Sequence, residues 1–211
     1  MFKKVLAFTM AEILLVIAVI GITAALALPT MTSDVDEKKV VSQVRKVYGE
    51  LDTAYQDILA QEGKPPEWKD ASDNPSTMTT TFRNKIAEKL STSQNVGTDS
   101  LILKDGTLVS FDVKARNDAI NASFDGEPPC TGGFGSIAVD IDGNQKGYNA
   151  GGRDKFVFDV CYVEGIVPAG TTNSGPIASN GPGATAWVIK AGNLDYLKCN
   201  DLNWNTKRTC K

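Results

Sequence analysis

Glu12 stands at the front edge of a run that carries no charge from Ile13 to Leu28. A carboxylate at the centre of an inserted apolar helix costs about 2.5–3.5 kcal/mol, and less near an end. Its chemistry there is therefore ion pairing, and a cation has to meet it. A second group is oxygen-rich. Asp140, Asp142 and Asn144 alternate along the chain and Asp154 lies close by, a donor set of the kind calcium takes. As an EF-hand the stretch fails, because Gly143 is fourth rather than sixth and the twelfth position is Gly151. A plain turn built on Asp-Gly-Asn is the expectation, with no resident metal or other cofactor. The third group is sulfur: Cys130, Cys161, Cys199 and Cys210. Histidine is absent, which removes His-based triads, imidazole bases and His-containing metal sites. Asp159 with Glu164 has no supporting motif for acid–base work, and Gly132-Gly-Phe-Gly135 lacks the Lys-Ser/Thr of a phosphate loop. No catalytic constellation emerges, so the expected role is not enzymatic.

The elements that must position these residues differ sharply along the 211-residue chain, which is 42% hydrophobic and 22% charged. A net charge of −3 and a pI near 5.1 argue against a nucleic-acid partner. Phe8 to Leu28 as a helix spans about 32 Å, one bilayer core. Lys3 and Lys4 before it predict a cytoplasmic N-terminus, with everything after Pro29 outside the cytoplasm. A simple secretory signal, with Ala25-Leu26-Ala27 as its small-residue site, leaves Glu12 without a purpose.

Lys3-Lys-Val-Leu-Ala7, then Phe8-Thr-Met-Ala-Glu12, then the long apolar run, resembles the class III signal of type IV pilins and type II secretion pseudopilins. Glu12 is fifth from Phe8, Gly21 fourteenth and Pro29 twenty-second, all in that family's register. The residue before the cut is usually Gly in the family and is Ala7 here. The resemblance implies cleavage between Ala7 and Phe8 by a prepilin peptidase, and N-methylation of Phe8. It implies assembly through the N-terminal helix with copies of itself and other pilin-like subunits. An inner-membrane platform and its ATPase would drive that assembly. Glu12 would then pair with the Phe8 amine of a neighbour, and in low dielectric that attraction is far stronger than in water. Ala18, Gly21 and Ala25 would let packed helices approach closely. The expected location is the cytoplasmic membrane, single-pass with the head outside, and then a periplasmic or surface filament. The rival from another class is a monomeric membrane-anchored periplasmic or surface binding protein.

Pro29 should kink or locally open the helix. Beyond it, Val40, Val44, Val47, Leu51, Ala54 and Ile58 recur at helical spacing, flanked by Tyr48 and Tyr55, ending near Glu62-Gly63 before Pro65 and Pro66. The resemblance implies that both segments form one long helix. A short helix is expected around Phe82 to Leu90. Strands are expected at Leu101–Leu103, Thr107–Val113, Ser136–Ile141, Lys155–Val160 and Ala186–Ile189, with a long loop over 165–184. The Trp residues at 68, 187 and 204 are expected as core or loop anchors. The resulting fold class is α+β and pilin-like, a long helix, half membrane-spanning and half amphipathic, on a small antiparallel head. Its segments are a leader 1–7, a membrane or filament-core helix 8–29, an amphipathic helix 30–62 and a loop-rich β head 63–211. In an oxidising compartment the four cysteines should pair. Sequence does not choose among three connectivities. Cys199–Cys210 and Cys130–Cys161 are the expectation, because both close local loops, and the first is similar to the C-terminal disulfide loop of many type IV pilins.

Overall fold

In a computed structural model, residues 9–90, 92–114, 133–143, 150–161, 164–170 and 183–210 are described, without the side chains of 23–35, 92, 93 and 183. The chain divides into two compact units, Met1–Lys39 and Val40–Lys211. Helix α1 is assigned over Met10–Glu62, through Pro29. In the second unit its stripe does what the spacing predicts. Val44, Val47, Leu51 and Tyr55 have no exposed surface, and Ala54 and Ile58 are almost fully covered. Gly63, at φ 78°, ends the helix, and Pro65 begins a 3-10 turn, Pro65–Glu67.

The second unit is α+β, with six strands among the described residues in one antiparallel sheet. These are β1 (Thr92–Val96), β2 (Ser100–Leu103), β3 (Leu108–Val113), β4 (Gly133–Asp140), β5 (Lys155–Cys161) and β6 (Gly165–Pro168), paired in chain order. Strand alternation sorts the side chains. Leu101, Val109, Val139 and Phe156 form one paired row, and Phe111, Ile137 and Phe158 the next; all are buried. Tyr48 of α1 stacks on Phe158 with ring centroids 5.4 Å apart and donates its hydroxyl to the Ile166 carbonyl. The opposite face carries the rows Ser100, Ser110, Ala138, Val157 and Asp112, Ser136, Asp159.

Helix α2 covers Pro75–Lys89, seven residues earlier than the expected Phe82 start. The start signal is Asn74-Pro75: Asn74 accepts hydrogen bonds from the Ser76 and Thr77 amides, and Pro75 sits where no amide is needed. Phe82 joins the layers, its ring lying 5.8–6.2 Å from those of Tyr55, Trp68, Phe111 and Phe134. Buried Thr79 accepts from the Val113 amide (3.0 Å) and donates to the Val113 carbonyl (3.1 Å). A helix hydroxyl thus completes β3 at the end that β2 does not reach.

Two expectations about the head are corrected. Ala186–Ile189 is not a strand but part of α3 (Gly183–Ala191). Trp-Val-Ile has β propensity, yet Ala184 to Val188 are all buried in a helix that packs on β5 and β6, and packing overrides propensity. The stretch 165–184 is not all loop, since Gly165–Pro168 forms edge strand β6. Residues 171–182 lie outside the described residues.

Helix α3 stops at Gly192, whose φ of 73° permits the left-handed cap in which its amide donates to Val188. Arg45 of α1 donates to the Ile189 carbonyl at 2.8 Å, and a Cβ on Gly192 would stand 2.8 Å from that guanidinium. Gly49, within α1, has open space around it. Denaturant unfolding should therefore move in opposite directions for the two alanine variants. Gly192→Ala should lose about 1–2 kcal/mol, and Gly49→Ala should gain about 0.5–1 kcal/mol.

Candidate functional site

Helix α1 begins with a reciprocal cap. The Thr9 amide and hydroxyl both donate to Glu12 Oε2, at 2.9 and 2.8 Å, and the Glu12 amide donates to Thr9 Oγ1 at 3.3 Å. Thr-x-x-Glu is the capping-box spacing, which sequence reasoning overlooked although Thr9-Met-Ala-Glu12 displays it. The box orients the carboxylate toward the first turn, where amides and the helix dipole favour negative charge. Glu12 is exposed in the single chain. Ala7 and Phe8 lie outside the described residues, as does the Pro29 side chain. Gly21 has nothing within 4 Å of an added Cβ, so nothing in the single chain requires its smallness.

The nine large apolar residues at Met10, Ile13–Ile17, Val19, Ile20 and Ile22 are 50–87% exposed. Contiguous apolar exposure of this extent marks a surface meant for lipid or for other protein. Among the described residues no helix is long and apolar enough to cross a membrane. The expected 8–29 span includes Phe8 and side chains beyond Ile22 that lie outside them.

At the far end of the chain, Cys199 and Cys210 form a disulfide with Cα atoms 5.9 Å apart. Its loop is anchored from inside. The Cys210 amide donates to Asp195 Oδ2 (2.9 Å), Trp187 Nε1 donates to Asn193 Oδ1 (2.8 Å), and Asn193 Nδ2 reaches the Arg208 carbonyl (3.0 Å). The Trp187 and Trp204 rings lie 4.7 Å apart, and Trp68, also buried, donates to the Gly63 carbonyl at 2.9 Å. Cys161 is buried and disulfide-bonded, and no described cysteine is free. Cys130 lies outside the described residues.

The calcium candidates do not converge among the described residues, where no group of three acidic, cysteine or histidine side chains is placed to hold a metal. Asp140 pairs with Lys155 across the ladder and meets its ammonium at 3.5 Å. Asp154, in the turn before β5, accepts from the Ala150 amide at 2.6 Å. Asp142 is exposed, and Asn144 lies outside the described residues.

The polar sheet face bears a groove of about 450 Å³ lined by Ser76, Thr98, Asp99, Ser110, Asp112 and Ser136. Asp159 completes the row with Asp112 and Ser136, and burial alone holds its carboxyl above the usual carboxylate range. No ion pair among the described residues involves Asp99, Asp112 or Asp159. Sequence reasoning missed this face, because its members come from separate strands and only the pairing register aligns them.

Cys199→Ser should lower unfolding stability by about 2–3 kcal/mol, read as a fall in denaturant midpoint at constant slope. For Asp159, an acid whose folded pKa is raised, the native state holds more protons, so its contribution to stability falls as pH rises through that pKa. Asp159→Asn should therefore raise the melting temperature at pH 7. The advantage should fade as the pH is lowered and the parent carboxyl protonates. No protein family, curated protein or solved structure matches this chain.

Proposed function

We propose that the chain is a structural subunit of an extracytoplasmic helical filament, of the type IV pilus or type II secretion pseudopilus kind. It is made as a membrane-anchored precursor, cut between Ala7 and Phe8 by a prepilin peptidase and methylated at Phe8. The observation that carries this reading is the exposed apolar start of α1, Met10 to Ile22, with Glu12 as its lone carboxylate. Such a surface is incompatible with water and suits two environments in turn. In the bilayer it faces lipid tails, and in a filament core it faces the same helix of neighbouring copies. Transfer between the two keeps apolar area covered throughout, so it needs no unfolding of the head.

The reading assigns separate work to separate residues. The Phe8 amine and a neighbour's Glu12 set the axial register, because either charge left alone in low dielectric is strongly unfavourable. Gly21, open in the single chain, permits close helix approach once a neighbour arrives. Pro29, which cannot donate to the helix ladder, gives α1 a place to adjust. The disulfide-stapled head stays folded outside the cytoplasm, where reduction does not threaten it. An inner-membrane platform and its ATPase supply the work of extraction.

Mass measurement of the mature N-terminus tests the processing directly. A chain beginning at N-methylated Phe8 is expected, whereas one beginning at Leu28 would contradict the reading. Glu12→Gln should still be processed but should enter sheared surface filaments at least about tenfold less than the parent.

A further inference from the structure

Among the described residues, the second unit has a groove with only acidic charged groups in its lining and, toward the other end of the strands, a C-terminal loop of net positive charge. Asp112, Ser136 and Asp159 form a row where β3 ends, β4 begins and β5 ends, with Asp99 on the rim of the adjoining groove. None of the groove's lining residues is basic. Burial already disfavours the Asp159 anion, so an arriving cation would relieve a cost the single chain bears.

The basic counterpart lies at the other end of the strands. Tyr196 donates to the Gly152 carbonyl, just before β5 begins, and Gly192 abuts Arg45. These contacts hold the C-terminal loop where β4 ends and β5 starts. Within this loop and the end of α3, Lys190, Lys198, Lys207 and Arg208 outnumber Asp195 and Asp201, with which Lys198 (3.7 Å) and Lys207 pair, while Asp140 and Asp154 lie at the same end of the strands. Lys190, on α3, stands 5.7 Å over the Trp204 ring of the disulfide loop. Four residues of β4 separate the Ser136 row from the Asp140–Lys155 pair, about 13 Å along the strand. Helix α1 runs between the same two ends. Arg45 is at the basic end and Tyr55 and Gln56 sit beside Gly165 at the acidic end, about 16 Å further on.

We infer that the acidic groove on the outer sheet face of one copy receives the basic disulfide loop of the next copy. Two different patches on one molecule make a heterologous contact, which repeats without closing and so extends a polymer. The inference rests on the filament reading and gives its heads a specific contact. The groove hydroxyls of Ser76, Thr98, Ser110 and Ser136 accept or donate to whatever polar groups the loop brings, so no buried polar atom need be stranded. Exposed ion pairs are individually weak and salt-sensitive, which suits a contact repeated at every subunit.

Two measurements on the full processed chain test this. Light- and heavy-isotope copies, mixed during assembly, are treated with a carbodiimide that joins carboxylates directly to amines. Mixed light–heavy peptides linking Asp112 or Asp159 to Lys190 or Lys198 are expected. In parallel, Asp112→Lys and Lys198→Glu should each lower filament yield at least fivefold, and the double variant should return to within twofold of the parent. Lys190→Glu, tested in the same way, guards against a local folding defect from either change. Filaments that form normally with both single variants, or that lack the mixed cross-links, overturn the contact while leaving the filament reading intact. Single losses that the double variant does not restore also overturn it. A parent chain that forms no filaments at all overturns the filament reading itself, and this contact with it.

Discussion

The apolar stripe of α1 from Val44 to Ile58 is the element on which the head depends. It offers the inner sheet face a continuous surface, and Val47, Leu51 and Tyr55 are sealed against it. Other parts of the fold are arranged around that seal. Phe82 brings α2 into it through Tyr55, and Gly165 at φ 83° lets the β5–β6 turn pass beside Tyr55 and Gln56. On the neighbouring turn of the helix, Arg45 holds the end of α3. Burying several such side chains contributes about 1.5–3 kcal/mol each before entropy is counted. Losing one of them would loosen α2, β6 and α3 together.

The same helix has an opposite requirement at its start. From Met10 to Ile22 its apolar residues face outward in the single chain, and Glu12 is the one charge among them. The capping box with Thr9 gives that carboxylate two local hydrogen bonds, which lowers the cost of carrying it without a partner. In the proposed filament a stronger partner replaces them. The head needs no such exchange. Its staple at Cys199–Cys210 is covalent, and Asp195 and Asn193 tie the loop to the body of the fold.

Local patterns were readable from the chain. The helical spacing of Val44 to Ile58 specified a buried face, Glu62-Gly63 before Pro65 marked its end, and the loop-closing distance favoured Cys199–Cys210. Thr9 was equally readable by its spacing to Glu12. What escaped was what depends on neighbours distant in sequence. Ala186–Ile189 has strand-forming residues but lies in a helix whose residues Ala184 to Val188 are all buried by contacts distant in sequence. Asp112, Ser136 and Asp159 are neighbours only through strand register. Asp140 and Asp154 looked like co-ligands by proximity, but each has its own partner, the Lys155 ammonium for Asp140 and the Ala150 amide for Asp154.

The central claim is that the apolar half of α1 is an assembly surface. Electron cryomicroscopy of filaments sheared from cells that express the full chain tests it most directly. The account predicts a core of packed α1 helices, with each Glu12 carboxylate within hydrogen-bonding distance of a neighbour's Phe8 amine. Filaments lacking this chain, or a core in which Glu12 faces no cation, would contradict it.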